Sequence, residues 1–397
     1  MYNKLPLSTV TYITSFLIYG GGRYTDLNFP GISLQFYRVI QLIYKSYKKR
    51  KVVLMSQNIN YPKPLKQGDK IAITAPSSGV KKDFHPLVSL AKKNLEQLGF
   101  FVEIGNTVWN GENITSCKKE IRAQELTKFL LDDNINAIIP PWGGELLMEV
   151  LPLLDWKKIR RSEPKWILGY SDISTLNFAY TLLTGNATAH GTNFIDLSSE
   201  SWDPVTASWI KVLNTSYRET VVQKSSRKYQ SSWDNAFQNK DGFFLDKPTE
   251  WKVFKGEKAT MSGHLLGGCQ NTLTNLIGTP FAPVEKFIYN YLTEGVIWYF
   301  ESIGWDAAEI YRSLWQMKQN NWFKNTNGIL LGRPTNYSSI KEFDMEGIIE
   351  EVFGDLNIPV IYDVDIGHKP PQLTLVNGVW GEVSSIKGKG MVTMTFQ

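Results

Sequence analysis

Cysteine and histidine are scarce in this chain. Two cysteines in 397 residues, Cys117 and Cys269, cannot build a disulfide framework, and neither stands in a Cys-x-x-Cys pair. Free thiols in a reducing compartment are expected. The four histidines (His85, His190, His264 and His368) lack the His-x-x-x-His and carboxylate spacings of zinc sites, so no metal is expected. Also missing are the Gly-x-Gly-x-x-Gly dinucleotide fingerprint and the Gly-Lys-Ser/Thr ending of a phosphate loop, which argues against a nucleotide-dependent oxidoreductase. Repeats and low-complexity tracts are absent too.

What is present fits a globular protein with a sizeable core: 42% of residues are hydrophobic and 20% charged. The length predicts two domains. The net charge of +5 is concentrated at one end, because residues 1–54 hold eight basic side chains and one acidic one. The remainder, with 35 basic and 37 acidic residues, offers no basic face for nucleic acid. Within the first 54 residues, the apolar stretch 5–19 is interrupted by Ser8, Thr9, Thr11, Thr14 and Ser15 and is short for a membrane span. "KSYKKRK" could lie on a membrane surface, and "YGGGRYTD" makes a poor signal-peptide cleavage site. Every fold signal begins after Met55, which favours that methionine as the start and residues 1–54 as an extension outside the native protein.

From Tyr61 the chain alternates. Strands are expected at 70–74, 100–104, 137–139 and 166–168, with helices at 87–98, 118–131, 148–154 and from Ile173. That rhythm predicts a parallel sheet covered by helices, with ligands beyond the carboxyl ends of its strands. Three small-residue junctions, 75–79, 140–144 and 169–172, fall on that edge. Residues 196–258 hold four tryptophans and weak periodicity, and read as an insertion or linker. After Ala259 come "GVIWYFES", "GILLG", "IPVIYD", "QLTLVNG", "VWGEVSS" and "MVTMTF", which predict a strand-rich α+β or barrel-like second domain.

"PKWILGYSDISTLNFAY" sets Ser171 on a sharp turn from a buried strand into a helix, where α/β hydrolases expose a nucleophile. The second glycine of the usual Gly-x-Ser-x-Gly setting is missing, and Ser171 or Asp172 could instead cap the helix. Gly143-Gly144 could point a backbone N–H at a ligand, since glycine has no Cβ to keep one away, or could form a tight turn. With the N–H of Asp172 it would complete an oxyanion hole. His368, on a loop between two strands, is a candidate base, and His190 is its rival. Glu301 ends an apolar strand and could orient the base, form a salt bridge or cap the following helix. Gly267-Gly268 reads as a tight turn into a helix.

Together, in chain order, "GDKIAITAPSSG", "IIPPWGGELLMEVLPLLDW", "PKWILGYSDIST", "HGTNFIDL", "GHLLGGCQNTLTNLIGTPF", "WYFESIGWDAAEIYRSLWQM", "GILLGRP" and "IGHKPPQLTLVNG" resemble the LD-carboxypeptidases, serine peptidases that include the microcin C immunity branch. The resemblance runs over residues 61–397. It implies a flavodoxin-like N-terminal domain (61–195) and a smaller strand-rich C-terminal domain (259–397), with the site between them. It assigns Ser171 as nucleophile, Glu301 and His368 as its triad partners, and Gly143, Gly144 and the Asp172 N–H as the oxyanion hole. It further implies a cytoplasmic homodimer without cofactor, acting on L,D-peptide bonds of muropeptides or on an amide joining an aminoacyl or peptidyl group to a nucleotide. Trp142 and Glu145 flank the glycines where members vary and would bear on substrate choice. In the immunity branch an aromatic residue of an insertion stacks on the base, a part that Trp202, Trp209 or Trp233 could play. A non-catalytic two-domain binding protein of the same fold is the alternative.

Overall fold

Burial of apolar β-branched runs organises the first half. In the computed structural model, which describes residues 57–233 and 242–397, strands β1 (Lys70–Ile73), β2 (Phe101–Ile104), β3 (Ala137–Ile138) and β4 (Trp166–Ile167) form a parallel sheet in the order β2-β1-β3-β4. A bridge between Leu168 and Ala189 carries the sheet on to β5 (Thr188–His190). The order 2-1-3-4-5 is that of flavodoxin-like folds. Helices α1 (His85–Gln97), α2 (Lys119–Leu131), α3 (Trp156–Ile159) and α4 (Ile173–Thr184) connect the strands. The expected helix at 148–154 is instead a pair of 3-10 turns, Leu147–Glu149 and Leu151–Leu153. Pro152 lacks the N–H that a continuous α-helix would use there.

The second half is built on one eight-stranded sheet. After α5 (Pro204–Leu213) come β6 (Thr220–Lys224), β7 (Lys228–Tyr229), β8 (Lys247–Pro248), β9 (Lys252–Val253), β10 (Lys258–Cys269), α6 (Gln270–Leu273) and α7 (Val284–Tyr291). They are followed by β11 (Val296–Glu301), α8 (Ala307–Gln319), β12 (Thr326–Gly332), α9 (Met345–Phe353), β13 (Val360–Val364), β14 (Leu375–Asn377), β15 (Trp380–Ile386) and β16 (Lys389–Thr395). The order is β6-β16-β15-β10-β11-β12-β13-β9, with β10 to β13 parallel. Residues 196–258 therefore supply both edge strands, β6 and β9.

Three contacts lock the halves together. Strand β14 leaves the C-terminal part and pairs antiparallel with β5, Leu375 opposite His190. The Phe178 ring of α4 stacks on Trp322 at 5.3 Å, and Trp322 stacks on Trp298 of β11 at 5.6 Å. Such pairs contribute about 0.5–1.5 kcal/mol each beyond the area they bury. The Cys269 N–H of β10 donates to Ser174 Oγ of α4 at 2.9 Å. Gly267 and Gly268 are not a turn, because β10 runs through both. A Cβ on Gly267 would lie 1.8 Å from the Tyr299 carbonyl oxygen, so glycine there permits close strand approach. Residues 1–54 lie outside the described residues, and no helix among those described is long and apolar enough to cross a membrane.

Candidate active site

Leu168 and Gly169 end the β4 run, and the chain then turns through Ser171 at a φ of 61°. A serine in this left-handed region costs about 1–3 kcal/mol, a strain that persists only where the surroundings hold it. They do so here. Asn193 Oδ1 accepts the Tyr170 N–H at 3.2 Å, and Asn177 of α4 reaches back to donate to the Gly169 carbonyl at 3.1 Å. Side-chain capping does not explain the residues, because Asp172 stands at the N-cap position but its side chain bonds no N–H of that helix. Its buried carboxylate instead accepts from Ser77 Oγ at 2.5 Å and from the Leu147 N–H at 2.9 Å. Burial pushes this carboxyl above its ordinary range against those hydrogen bonds, which pull it down. Asp172 thereby ties the turn to the loops after β1 and β3.

The loop after β3 comes close enough to matter chemically. A Cβ on Gly143 would lie 2.7 Å from Ser171 Oγ and 2.9 Å from the Asp172 nitrogen. Gly144, at φ 146°, faces the hydroxyls of Ser77 and Ser78, each 2.3 Å from where its Cβ would be. Only glycine fits both positions. Buried Arg122 of α2 fastens the same loop by donating to the carbonyls of Pro76, Leu146 and Cys117 and pairing with Glu149.

From the other half, β11 ends in fully buried Glu301, and the loop between β13 and β14 presents His368. His368 Nδ1 lies 2.8 Å from Glu301 Oε2. Burial alone would raise the Glu301 carboxyl, but the charge and hydrogen bond of His368, with His190 and the Cys269 thiol nearby, hold it below its ordinary value. Glu301 is not the cap of α8; Asp306 fills that place in a capping box with Glu309. Gly367 leaves no room for a Cβ, which would meet Glu301 Oε2 at 2.5 Å.

Ser171, His368, Gly143 and Gly144 share the wall of one cavity of about 870 Å³, a volume suited to a small ligand. Trp142 and Glu145 line it as well. Trp202 and Trp209 do not: Trp209 is fully buried against Phe100, and Trp202 packs beside it. Trp233 is not on the wall either, but its indole N–H donates to the His368 carbonyl at 2.6 Å. Among the described residues no group of His, Cys, Asp and Glu side chains is arranged to hold a metal.

His190, the rival base, is fully buried and does not line the cavity. Burial outweighs the pull of Glu301 and lowers it to about 4. Between pH 6.5 and 4 the unfolded chain takes up a proton at this position that the folded chain refuses, so stability falls with falling pH. The full loss is about 3 kcal/mol. Melting temperatures across pH 7 to 4 should therefore drop less steeply in His190→Gln than in the parent protein. Equal slopes would show that His190 charges readily in the fold. Glu301, held low, adds its own acid loss only below its ordinary 4.5.

Sequence reasoning missed four residues here. Tyr170 sets its ring edge-on to His368 at 4.9 Å, and Cys269, Asn193 and Trp305 line the cavity. Tyr170 neighbours the serine, but its contact with His368 arises only when the halves meet.

Comparison with known proteins agrees with this architecture. Residues 71–191 match the LD-carboxypeptidase N-terminal domain and residues 262–383 the LD-carboxypeptidase C-terminal domain. The chain is 27% identical over 328 residues to the "Probable murein peptide carboxypeptidase" of Bacillus subtilis, covering 81% of this chain and 91% of that protein. It is also 27% identical over 331 residues to the microcin C7 self-immunity protein MccF of Escherichia coli, covering 80% and 90%. The crystal structure of an MccF-like protein from Bacillus anthracis superposes with a TM-score of 0.73 at 26% identity, covering 85% of this chain and 99% of that one. Both domains, in the family's order, make this chain a member of the LD-carboxypeptidase family of enzymes.

Proposed function

We propose that the protein is a serine carboxypeptidase that cleaves an amide bond with Ser171 as nucleophile, His368 as base and Glu301 as the group orienting the base. The observation that carries this is the 2.8 Å contact of His368 Nδ1 with Glu301, beside a cavity whose wall also holds Ser171 on its left-handed turn. Glu301 accepts a hydrogen bond from Nδ1–H, which leaves Nε2 free to take the proton from Ser171 Oγ as that oxygen attacks the carbonyl carbon. Glu301 then balances the imidazolium that forms. The developing oxyanion is taken up by backbone N–H groups of the Gly143-Gly144 loop and of Asp172. Collapse breaks the C–N bond, and the imidazolium gives its proton to the leaving amine. Water repeats the cycle on the acyl-serine.

Two amide substrates fit this chemistry: the L,D-bond of a muropeptide, and the amide of an aminoacyl or peptidyl nucleotide. One relative named for each role, the murein peptide carboxypeptidase and MccF, stands at the same 27% identity. Within the cavity, Trp142 and Glu145 would bear on the choice, with Trp305 as a further aromatic residue of the wall. The free thiols Cys117 and Cys269 support a reducing compartment, the cytoplasm. Family resemblance supports a homodimer, which sedimentation would test. Incubating the full chain separately with an L,D-tetrapeptide and with an aminoacyl sulfamoyl-adenosine, and reading products by mass spectrometry, tests the reading. Release of terminal D-alanine identifies the first role, and release of sulfamoyl-adenosine the second. A protein that cuts neither and resists a fluorophosphonate probe would be a binding protein of this fold.

A further inference from the structure

The loop bearing His368 is held from an unexpected quarter. Three residues before the histidine, Asp365 is fully buried, and its carboxylate accepts four hydrogen bonds. Ser226 supplies two, from its N–H at 3.0 Å and its hydroxyl at 2.7 Å. Trp251 Nε1 donates at 2.8 Å and Arg333 Nη2 at 2.5 Å. Arg333 in turn donates to the Asp363 carbonyl at 3.0 Å and lies 4.4 Å from the centre of the Tyr229 ring. Farther along, the Gln230 N–H donates to the Pro370 carbonyl at 2.7 Å, and Trp233 Nε1 to the carbonyl of His368 itself.

Residues 226–233 therefore lie along the His368 loop as a strap, bonding it at positions 365, 368 and 370. A buried ion pair such as Arg333–Asp365 adds little net stability, because desolvating both charges offsets their attraction. In some proteins such a pair is retained because it singles out one conformation. The conformation selected here is that of the loop carrying His368.

We propose that Asp365, with the 226–233 strap, is a positioning residue for His368, so that the segment between the two domains sets the efficiency of the base. This rests on His368 acting as the base. A displacement of about 1 Å at a reacting group can cost on the order of a hundredfold in rate.

Ser226→Ala and Asp365→Asn in the full chain test it, with Trp233→Phe in reserve should the aspartate variant fail to fold. We expect kcat to fall roughly tenfold in Ser226→Ala and about a hundredfold in Asp365→Asn, with KM within about twofold of the parent. Fluorophosphonate labelling of Ser171 should slow in parallel. The downfield NMR resonance of the His368 Nδ1 proton, assigned with His368→Gln, should shift or broaden. Folded variants that keep both parental turnover and an unchanged ring-proton resonance would overturn the proposal and leave the network a purely stabilising one. Should the parent itself cut neither substrate and resist the fluorophosphonate probe, the hydrolase reading fails, while the ring-proton comparison still decides whether the strap positions the histidine.

Discussion

Replacing Ser171 with alanine is expected to reduce hydrolysis by about 10⁴–10⁶ in kcat while leaving folding and ligand binding in place. The reason is local. The hydroxyl is the only atom removed, and the turn is held by Asn193, Asn177 and Asp172 rather than by the serine side chain. Alanine tolerates a φ of 61° about as poorly as serine does, so the melting temperature should move by only a few degrees. Calorimetric titration of the variant with an uncleaved substrate should therefore return the parental affinity, while product formation vanishes. Turnover within tenfold of the parent would remove Ser171 from the mechanism.

His368→Ala should be nearly as severe, and Glu301→Gln should cost on the order of 10⁴. A glutamine can still accept a hydrogen bond from Nδ1–H through its amide oxygen, but it carries no charge to balance the imidazolium. The Glu301 substitution is informative because the carboxylate is fully buried and its Oε1 has no hydrogen-bond partner among the described residues. Neutralising it removes a desolvation penalty along with the contact to His368, so activity should fall much further than stability. Residues that act as a unit are not additive. Ser171→Ala combined with Glu301→Gln should thus be no slower than Ser171→Ala alone. A double variant slower by the product of the two single losses would mean that Glu301 and Ser171 act in separate steps.

Position along the chain was legible wherever local chemistry decides it. Ser171 stands between a buried apolar run and a helix with apolar residues at helical spacing, so the turn could be read directly. Gly143-Gly144 and His368 could be located on loops for similar reasons. Orientation was not legible. Asp172 had the residue type of a cap, yet its carboxylate turns toward Ser77 and Leu147, partners 95 and 25 residues away. Trp209 had the residue type of a stacking platform, yet it is enclosed in the core against Phe100. Residues 196–258 were opaque because edge strands of two to five residues carry too few turns of the pattern to register as a period.

By itself, the sequence determined the alternation of strands and helices, the strand-rich second half and the loops on which the candidate residues stand. These follow from the period of apolar residues and from glycine, both of which act within a few positions along the chain. Tertiary structure alone decided that β14 crosses to pair with β5, that the 226–233 strap ties down the His368 loop, and that Glu301 meets His368 at 2.8 Å. Those contacts join residues separated by 67 to 189 positions, and their geometry depends on how whole elements pack, which no local pattern encodes.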